Sequence, residues 1–154
     1  MMRWELRRFR DLSTDEIYEI LALRQAVFVV EQRCAYLDAD GRDRQGHHLL
    51  GRDASGSLVA YLRILDPGSR FREPSIGRVL IQPEHRGKGL GKVLMLEGMR
   101  ECWRLFPGLS ISISAQHYLR KFYEDLGFVS VGDGSPVDED GIPHIRMLAS
   151  PADP

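Results

Sequence analysis

Apolar and polar positions change their period several times along the chain, and each change predicts an element. Trp4 to Phe9 alternates apolar and charged residues, the period-two pattern of a short half-buried strand. Ser13 stands three residues before Glu16, the spacing of a capping box, and Ile17, Ile20, Leu21, Arg24, Val27 and Phe28 then share one face at helical spacing. Arg24 interrupts that stripe. The expected reading is an arginine at the stripe's edge with its stem packed and its head in water; the alternative is a buried or ligand-facing partner. His47–Asp53 and Leu58–Leu65 read as strands joined by the turn residues Ala54-Ser55-Gly56-Ser57, and Ser75–Gln82 as a further strand. Leu90–Phe106 repeats Met95, Met99, Cys102 and Phe106 at helical spacing, a core face, and ends at Pro107-Gly108. Leu109–Ser114 is another strand, and Gln116–Leu126 a second helix closed by Gly127. Phe128–Val131 and His144–Leu148 form a closing strand pair around the acidic loop Asp133–Pro143. The polar connections Glu31–Gly46 and Asp66–Pro74 complete the layout, and the first is long enough to be a functional or a flexible loop. Strands with interspersed helices and no repeat or linker predict one α/β (α+β) domain on a mixed sheet, residues 1–150, with a frayed tail at 151–154.

Composition narrows the class. The chain has 154 residues, 43% hydrophobic and 28% charged, which suits one globular domain. Its net charge of −1 provides no global field toward nucleic acid or membrane, so neither is expected as a partner. Cys34 and Cys102 have no metal or redox spacing, and His47, His48, His85, His117 and His144 form no metal motif; no metal is expected. No apolar run approaches the roughly 20 residues that span a bilayer. Met1-Met2-Arg3-Trp4-Glu5 lacks the apolar core of a signal peptide, so a cytoplasmic setting is the default expectation.

The most informative stretch is Gln82-Pro83-Glu84-His85-Arg86-Gly87-Lys88-Gly89-Leu90-Gly91-Lys92, between a predicted strand and a predicted helix. Helix N-termini expose amides without intrahelical partners and favour negative charge; glycines let an anion approach, and Arg86, Lys88 and Lys92 add cations. A P-loop would need Ser or Thr where Val93 follows Lys92. A dinucleotide fingerprint would need GxGxxG and an acid near position 110, and both are missing. A magnesium-dependent nucleotide hydrolase is therefore a weak reading, and a small anionic ligand the better one.

Pro83-Glu84-His85-Arg86-Gly87-Lys88-Gly89-Leu90-Gly91 resembles the [Q/R]xxGx[G/A] signature of the GNAT superfamily of N-acetyltransferases. Phe122-Tyr123-Glu124-Asp125-Leu126-Gly127-Phe128 resembles that family's second signature, [LF]YxxxGF. Ala26-Val27-Phe28-Val29-Val30-Glu31-Gln32 and Asp140-Gly141-Ile142-Pro143-His144-Ile145 resemble its ElaA-like branch. The resemblance implies a V-shaped mixed sheet whose fourth and fifth strands splay around acetyl-coenzyme A. It places Val79, Leu80 and Ile81 along the pantetheine arm and the amides of Arg86, Gly87, Lys88, Gly89, Leu90, Gly91 and Lys92 on the pyrophosphate. Gln116, standing where many relatives carry asparagine, would bond the pantetheine through a longer side chain.

The resemblance also implies direct attack of an uncharged amine on the thioester within a ternary complex. Tyr123 would protonate the leaving thiolate, as a phenol with an ordinary pKa near 10 can at neutral pH. The Leu80 N–H is the expected oxyanion donor. Glu31 and His144 are the candidate general bases, with a water chain as the third option. Arg78 could orient a substrate carboxylate or simply pair with an acid, and Cys34 could touch substrate. A coenzyme A-binding sensor or partner module without turnover is the alternative. The acceptor is an unidentified small-molecule or peptide amine; Asp38, Asp40, Asp43, Asp138, Glu139 and Asp140 suggest a cationic one, and a homodimer is left open.

Overall fold

The capping box at Ser13 is formed: the Glu16 amide donates to Ser13 Oγ at 3.0 Å and the Ser13 amide to Glu16 Oε1 at 2.9 Å. It starts helix α1 (Thr14–Arg24), which widens into a π-helical segment, Gln25–Glu31. The computed structural model describes residues 1–151, so the expectation of a frayed tail falls almost wholly outside the described residues.

Eight strands make one mixed sheet: β1 (Arg3–Arg8), β2 (His47–Arg52), β3 (Leu58–Leu65), β4 (Ser75–Ile81), β5 (Ile111–Gln116), β6 (Val129–Ser130), β7 (Val137–Glu139) and β8 (Ile142–Ala149). Their order is β1-β2-β3-β4-β5-β8-β6, with β7 also paired to β8. Strands β1 to β4 form an antiparallel meander, β4 and β5 run parallel, and β8 returns antiparallel to β5. Helix α2 (Leu90–Leu105) connects the parallel pair and packs one sheet face through Leu94, Met95, Met99 and Cys102, the core stripe its spacing predicted. Burial pushes the Cys102 thiol up to about 12, which makes it inert packing. Gly98 lets α2 approach the sheet: a Cβ there would stand 2.5 Å from Leu62 Cδ2. On the other face, Ile20, Val27 and Phe28 cover Leu50, Tyr61 and Leu80.

Two expectations need correction. The helix expected over Gln116–Leu126 is a 3-10 turn, His117–Leu119, followed by the short α3 (Arg120–Glu124). The Phe128 amide turns back to the Tyr123 carbonyl at 3.1 Å and Gly127 takes φ 99°, which closes the chain early. The acidic loop Asp133–Pro143 contains a strand, β7, joined to β8 by Asp140-Gly141. Both turn residues have positive φ, 53° and 83°, the geometry of a two-residue hairpin turn, and Asp-Gly was its signal.

Arg24 does not reach water. Its exposure is 0%; Nε donates to Asp38 Oδ2 at 2.7 Å, Nη1 to Asp43 Oδ1 at 2.6 Å and Nη2 to the Asp38 carbonyl at 3.1 Å. Arg63 of β3, 1% exposed, donates to Asp40 at 2.7 and 2.8 Å and to Asp43 at 2.8 Å. Burial opposes ionisation of Asp40, but the hydrogen bonds and charge of Arg63 outweigh it and hold the carboxyl well below its usual range. The loop Glu31–Gly46 is thus tied down from beneath by arginines. Replacing Arg24 by Leu removes one partner and leaves two buried carboxylates short of a cation, so unfolding free energy in urea should fall by about 3–5 kcal/mol. A loss below about 1 kcal/mol would show that Asp38 and Asp43 do not depend on Arg24.

Candidate active site

Strands β4 and β5 pair at one position, Ser75 with Ser112, where the Ser112 amide also donates to the Pro74 carbonyl at 2.9 Å. Beyond it a cleft of about 590 Å³ opens, lined by residues of both strands, the π-helical segment, α3 and the β7–β8 turn. A bulge in β4 accompanies this splay. Tyr61 faces Leu80 and Arg63 faces Gly77, so Leu62 opposes both Arg78 and Val79, and Arg78 takes φ 53°. Such a backbone angle is strained for a residue with a side chain. It is held by Arg78's own contacts: Nε lies 2.8 Å from Asp38 Oδ1, and Nη2 donates to the Asp38 carbonyl at 2.8 Å.

Strand parity assigns the β4 amides. The Gln82 amide donates to Val59 of β3 at 2.7 Å, and amides of an antiparallel strand alternate sides. Leu80, two residues before, therefore turns its N–H toward β3, opposite Tyr61, while Val79 and Ile81 turn theirs toward the cleft. The Ile81 carbonyl agrees with this, since it accepts from Arg86 Nε at 3.2 Å rather than from β3. The expected oxyanion role of Leu80 is incompatible with this register, and so is a pantetheine bond from its amide.

The glycine turn leads straight into α2. Gly87 and Gly89 have φ of 80° and 75°, and Gly89 is the N-cap residue, with no side-chain cap and no acid in the first turn. The amides of Leu90, Gly91 and Lys92 are left for an external acceptor. A Cβ at Gly91 would make only ordinary contact with Phe122 at 3.7 Å, so this glycine simply leaves cleft wall open. Arg86 is less available than expected: Nη1 and Nη2 each donate to Glu31 at 2.7 Å. Those bonds hold the Glu31 carboxyl below its usual range, so it is an ionised partner of Arg86.

On the α3 side, Tyr123 is 7% exposed, meets the Phe122 and Phe128 rings edge-on, and lines the cleft. Burial, reinforced by Tyr118, pushes its phenol up to about 12. His144 faces Gln116 across the β5–β8 pair, and both line the cleft. His144 Nδ1 lies 2.7 Å from the Ile142 carbonyl, which can only accept, so Nδ1 carries a hydrogen and Nε2 of the neutral ring keeps its lone pair. Gln116 Nε2 donates to Gln32 Oε1 at 3.3 Å.

Sequence reasoning missed several lining residues: Tyr36, Arg70, Ser114 and, as a cleft residue, Glu139. Glu139 accepts from Arg70 Nη2 at 2.6 Å and from Ser114 Oγ. The Asp140-Gly141 turn was the one local signal for this group. Asp38, Asp40 and Asp43, read as attractants for a cationic substrate, are instead partners of Arg24, Arg63 and Arg78. Cys34 is buried beside the Gln32 carbonyl and is not among the cleft residues. Among the described residues no group of three or more His, Cys, Asp or Glu is placed to hold a metal, and no helix is long and apolar enough to cross a membrane.

The family model described as acetyltransferase (GNAT) domain matches residues 13–150. The chain belongs to the GNAT acetyltransferase family. It is 40% identical over 149 residues to Protein ElaA of Escherichia coli, covering 96% of this chain and 95% of that one. A UPF0039 protein of Synechocystis is 48% identical over 147 residues, covering 96% and 94%. Among solved structures, an acyl-CoA N-acyltransferase from Pseudomonas aeruginosa superposes with a TM-score of 0.90 at 39% identity, covering 97% of this chain and all of the other. E. coli ElaA superposes with 0.89 at 38% identity over the same shares. This GNAT chain is an acyltransferase whose fold binds an acyl-coenzyme A as cosubstrate. Its acid-free α2 start and its positive-φ glycines suit the anionic end of such a molecule, and the open β4 edge suits the amide-bearing arm.

Replacing Gly89 by Asp puts a side chain at φ 75° and a negative charge on the α2 N-terminus. Titration calorimetry should then register no coenzyme A binding under conditions where the parent protein saturates. Binding of similar affinity by that variant would move the anion site elsewhere.

Proposed function

We propose that this GNAT chain transfers an acetyl group from acetyl-coenzyme A to the amine of a small molecule or peptide by direct attack in a ternary complex. The observation that carries the reading is one cleft bounded by an uncapped helix start, a bulged strand edge and a buried, protonated phenol. Residues 1–150 are the transferase unit, residues 151–154 a tail, and the setting is the cytoplasm.

Each residue then has a task. The amides from Gly87 to Lys92, with Lys88 and Lys92 beside them, hold the pyrophosphate; the Arg86 amide, expected to join them, is already given to the Pro83 carbonyl at 3.3 Å. Val79 and Ile81 bond the pantetheine arm, with Gln116 on the facing strand. The Val79 N–H, next to the bulge, replaces Leu80 as donor to the oxyanion. His144 Nε2 accepts the proton that the ammonium must lose; Glu31, ionised and engaged by Arg86, is the poorer base. As the new C–N bond forms and the C–S bond breaks, the tetrahedral nitrogen loses its remaining surplus proton to solvent, and Tyr123 gives its own proton to the departing sulfur and regains one from solvent.

Three measurements test this. Thiol release from acetyl-coenzyme A across an amine panel separates an enzyme from a binding module: binding without any amine-dependent release would leave only the module. Tyr123→Phe should lower kcat about 100-fold while coenzyme A affinity stays within about twofold. A variant turning over within about twofold of the parent removes Tyr123 from the chemistry. Because burial raises that phenol, loss of its proton should produce no falling limb in kcat below about pH 10. His144→Gln should lower kcat about 100-fold, whereas Glu31→Gln should leave it within about twofold; the opposite result exchanges their roles.

A further inference from the structure

At the bulge and in the loop before β4, two arginines line the cleft with donors left over after their protein partners are counted. Arg70, in the loop between β3 and β4, donates from Nη2 to Glu139 Oε1 at 2.6 Å, and its guanidinium lies 5.0 Å from the Phe71 ring centroid. Arg78 is fixed by the ion pair of Nε with Asp38 at 2.8 Å and by Nη2, which donates to the Asp38 carbonyl at 2.8 Å and reaches Asp40 Oδ2 at 3.5 Å. Among the described residues, Nη1 of each has no partner, nor does Nε of Arg70, and both side chains line the cleft with 28% and 16% exposure. The guanidiniums are therefore held in place with unbonded N–H groups.

The aspartates beside this wall are shared with buried arginines: Asp38, paired with Arg78, also serves Arg24; Asp40, 3.5 Å from Arg78 Nη2, bonds Arg63 at 2.7 Å; and Asp43 serves both Arg24 and Arg63. Burial lowers the Arg70 pKa; the attraction of Glu139 opposes this, and repulsion from Arg78, Arg63 and Arg42 adds to it. Acids stand close by as well. Asp140 lines the cleft without an ion-pair partner among the described residues, and the Tyr36 phenol, raised by burial, feels both Arg78 and Asp140. Cation and anion thus border one space. A diamine would meet the arginines, a dianionic phosphate would meet Glu139 and Asp140, and an amino-carboxylate satisfies both signs.

We infer that the acceptor subsite takes an amine that also carries a carboxylate, the carboxylate on Arg70 and Arg78 and the amine toward His144. This rests on the acyltransferase reading and names its substrate class. A free amino acid and a peptide C-terminus share that chemistry.

The test uses matched probes: amino acids against their α-carboxamides, dipeptides against dipeptide amides, and putrescine as a diamine without a carboxylate. Thiol release from acetyl-coenzyme A should favour the carboxylate member by about tenfold or more in kcat/KM, and the two carboxylate series show whether amino acid or peptide is preferred. In Arg70→Gln the ratio should fall to within about twofold of unity, with Arg70→Lys between. Preference for carboxamides or putrescine, or a ratio that survives Arg70→Gln, overturns the inference. Should Arg70→Gln not fold, the parent ratio and Arg70→Lys still decide. A turnover-free arm titrates N-acetylamino acids and their carboxamides into the protein–coenzyme A complex. Equal binding of the two, or binding of neither, overturns the subsite even if acetyl transfer is observed. Carboxylate-selective binding with no thiol release for any amine would instead sink the transferase reading and leave the subsite standing.

Discussion

Asp38, 5% exposed, sets its carboxylate between Arg24 at the end of α1 and Arg78 on the β4 bulge. One buried anion thereby ties a helix terminus to a strand irregularity, and the backbone carbonyl of the same residue accepts from both guanidiniums. The strained φ at Arg78 persists because its side chain is anchored in this way. Without the bulge, β4 would continue its pairing with β3 in simple register. Its cleft-side amides would then be displaced relative to the turn that follows. The position of Val79 and Ile81 thus depends on an ion pair set beside the strand rather than on β4's own pairing alone.

The same network explains why the chain tolerates fully buried arginines. Arg24, Arg63 and Arg78 meet Asp38, Asp40 and Asp43, so the group is formally neutral and each charge has an opposite within hydrogen-bond reach. Isolated charges in such a place would be prohibitive; a connected set is sustainable and demands one geometry. That geometry fixes the loop Glu31–Gly46, which carries Gln32 and Tyr36 to the cleft wall. A loop with little apolar content is ordered here by electrostatics.

What the sequence revealed was local. The Ser13–Glu16 cap, the Met95–Met99–Cys102 stripe, the glycine turn and the two signature motifs each lie within a few residues, and each stands where its pattern required. The splayed mixed sheet followed from the resemblance and is present. What stayed hidden was long-range. Arg24 meets Asp38 fourteen residues away and Arg86 meets Glu31 fifty-five residues away, and no periodicity announces either pair. The choice between Leu80 and Val79 depends on register against β3, which a bulge resets. Charge in the Glu31–Gly46 loop looked available only because its partners were distant in sequence.

The start of α2 has a consequence for how the protein persists. A side-chain cap there would contribute about 1 kcal/mol of helix stability, and this chain has none. On the proposed reading, the cosubstrate's pyrophosphate on those amides supplies what the cap would have supplied, and it binds the folded state alone. By mass action, ligand at a hundred times its dissociation constant adds about 2.7 kcal/mol to resistance against unfolding. On that reading the abundance of the folded protein would be coupled to the supply of its cosubstrate, through the amides at the start of α2.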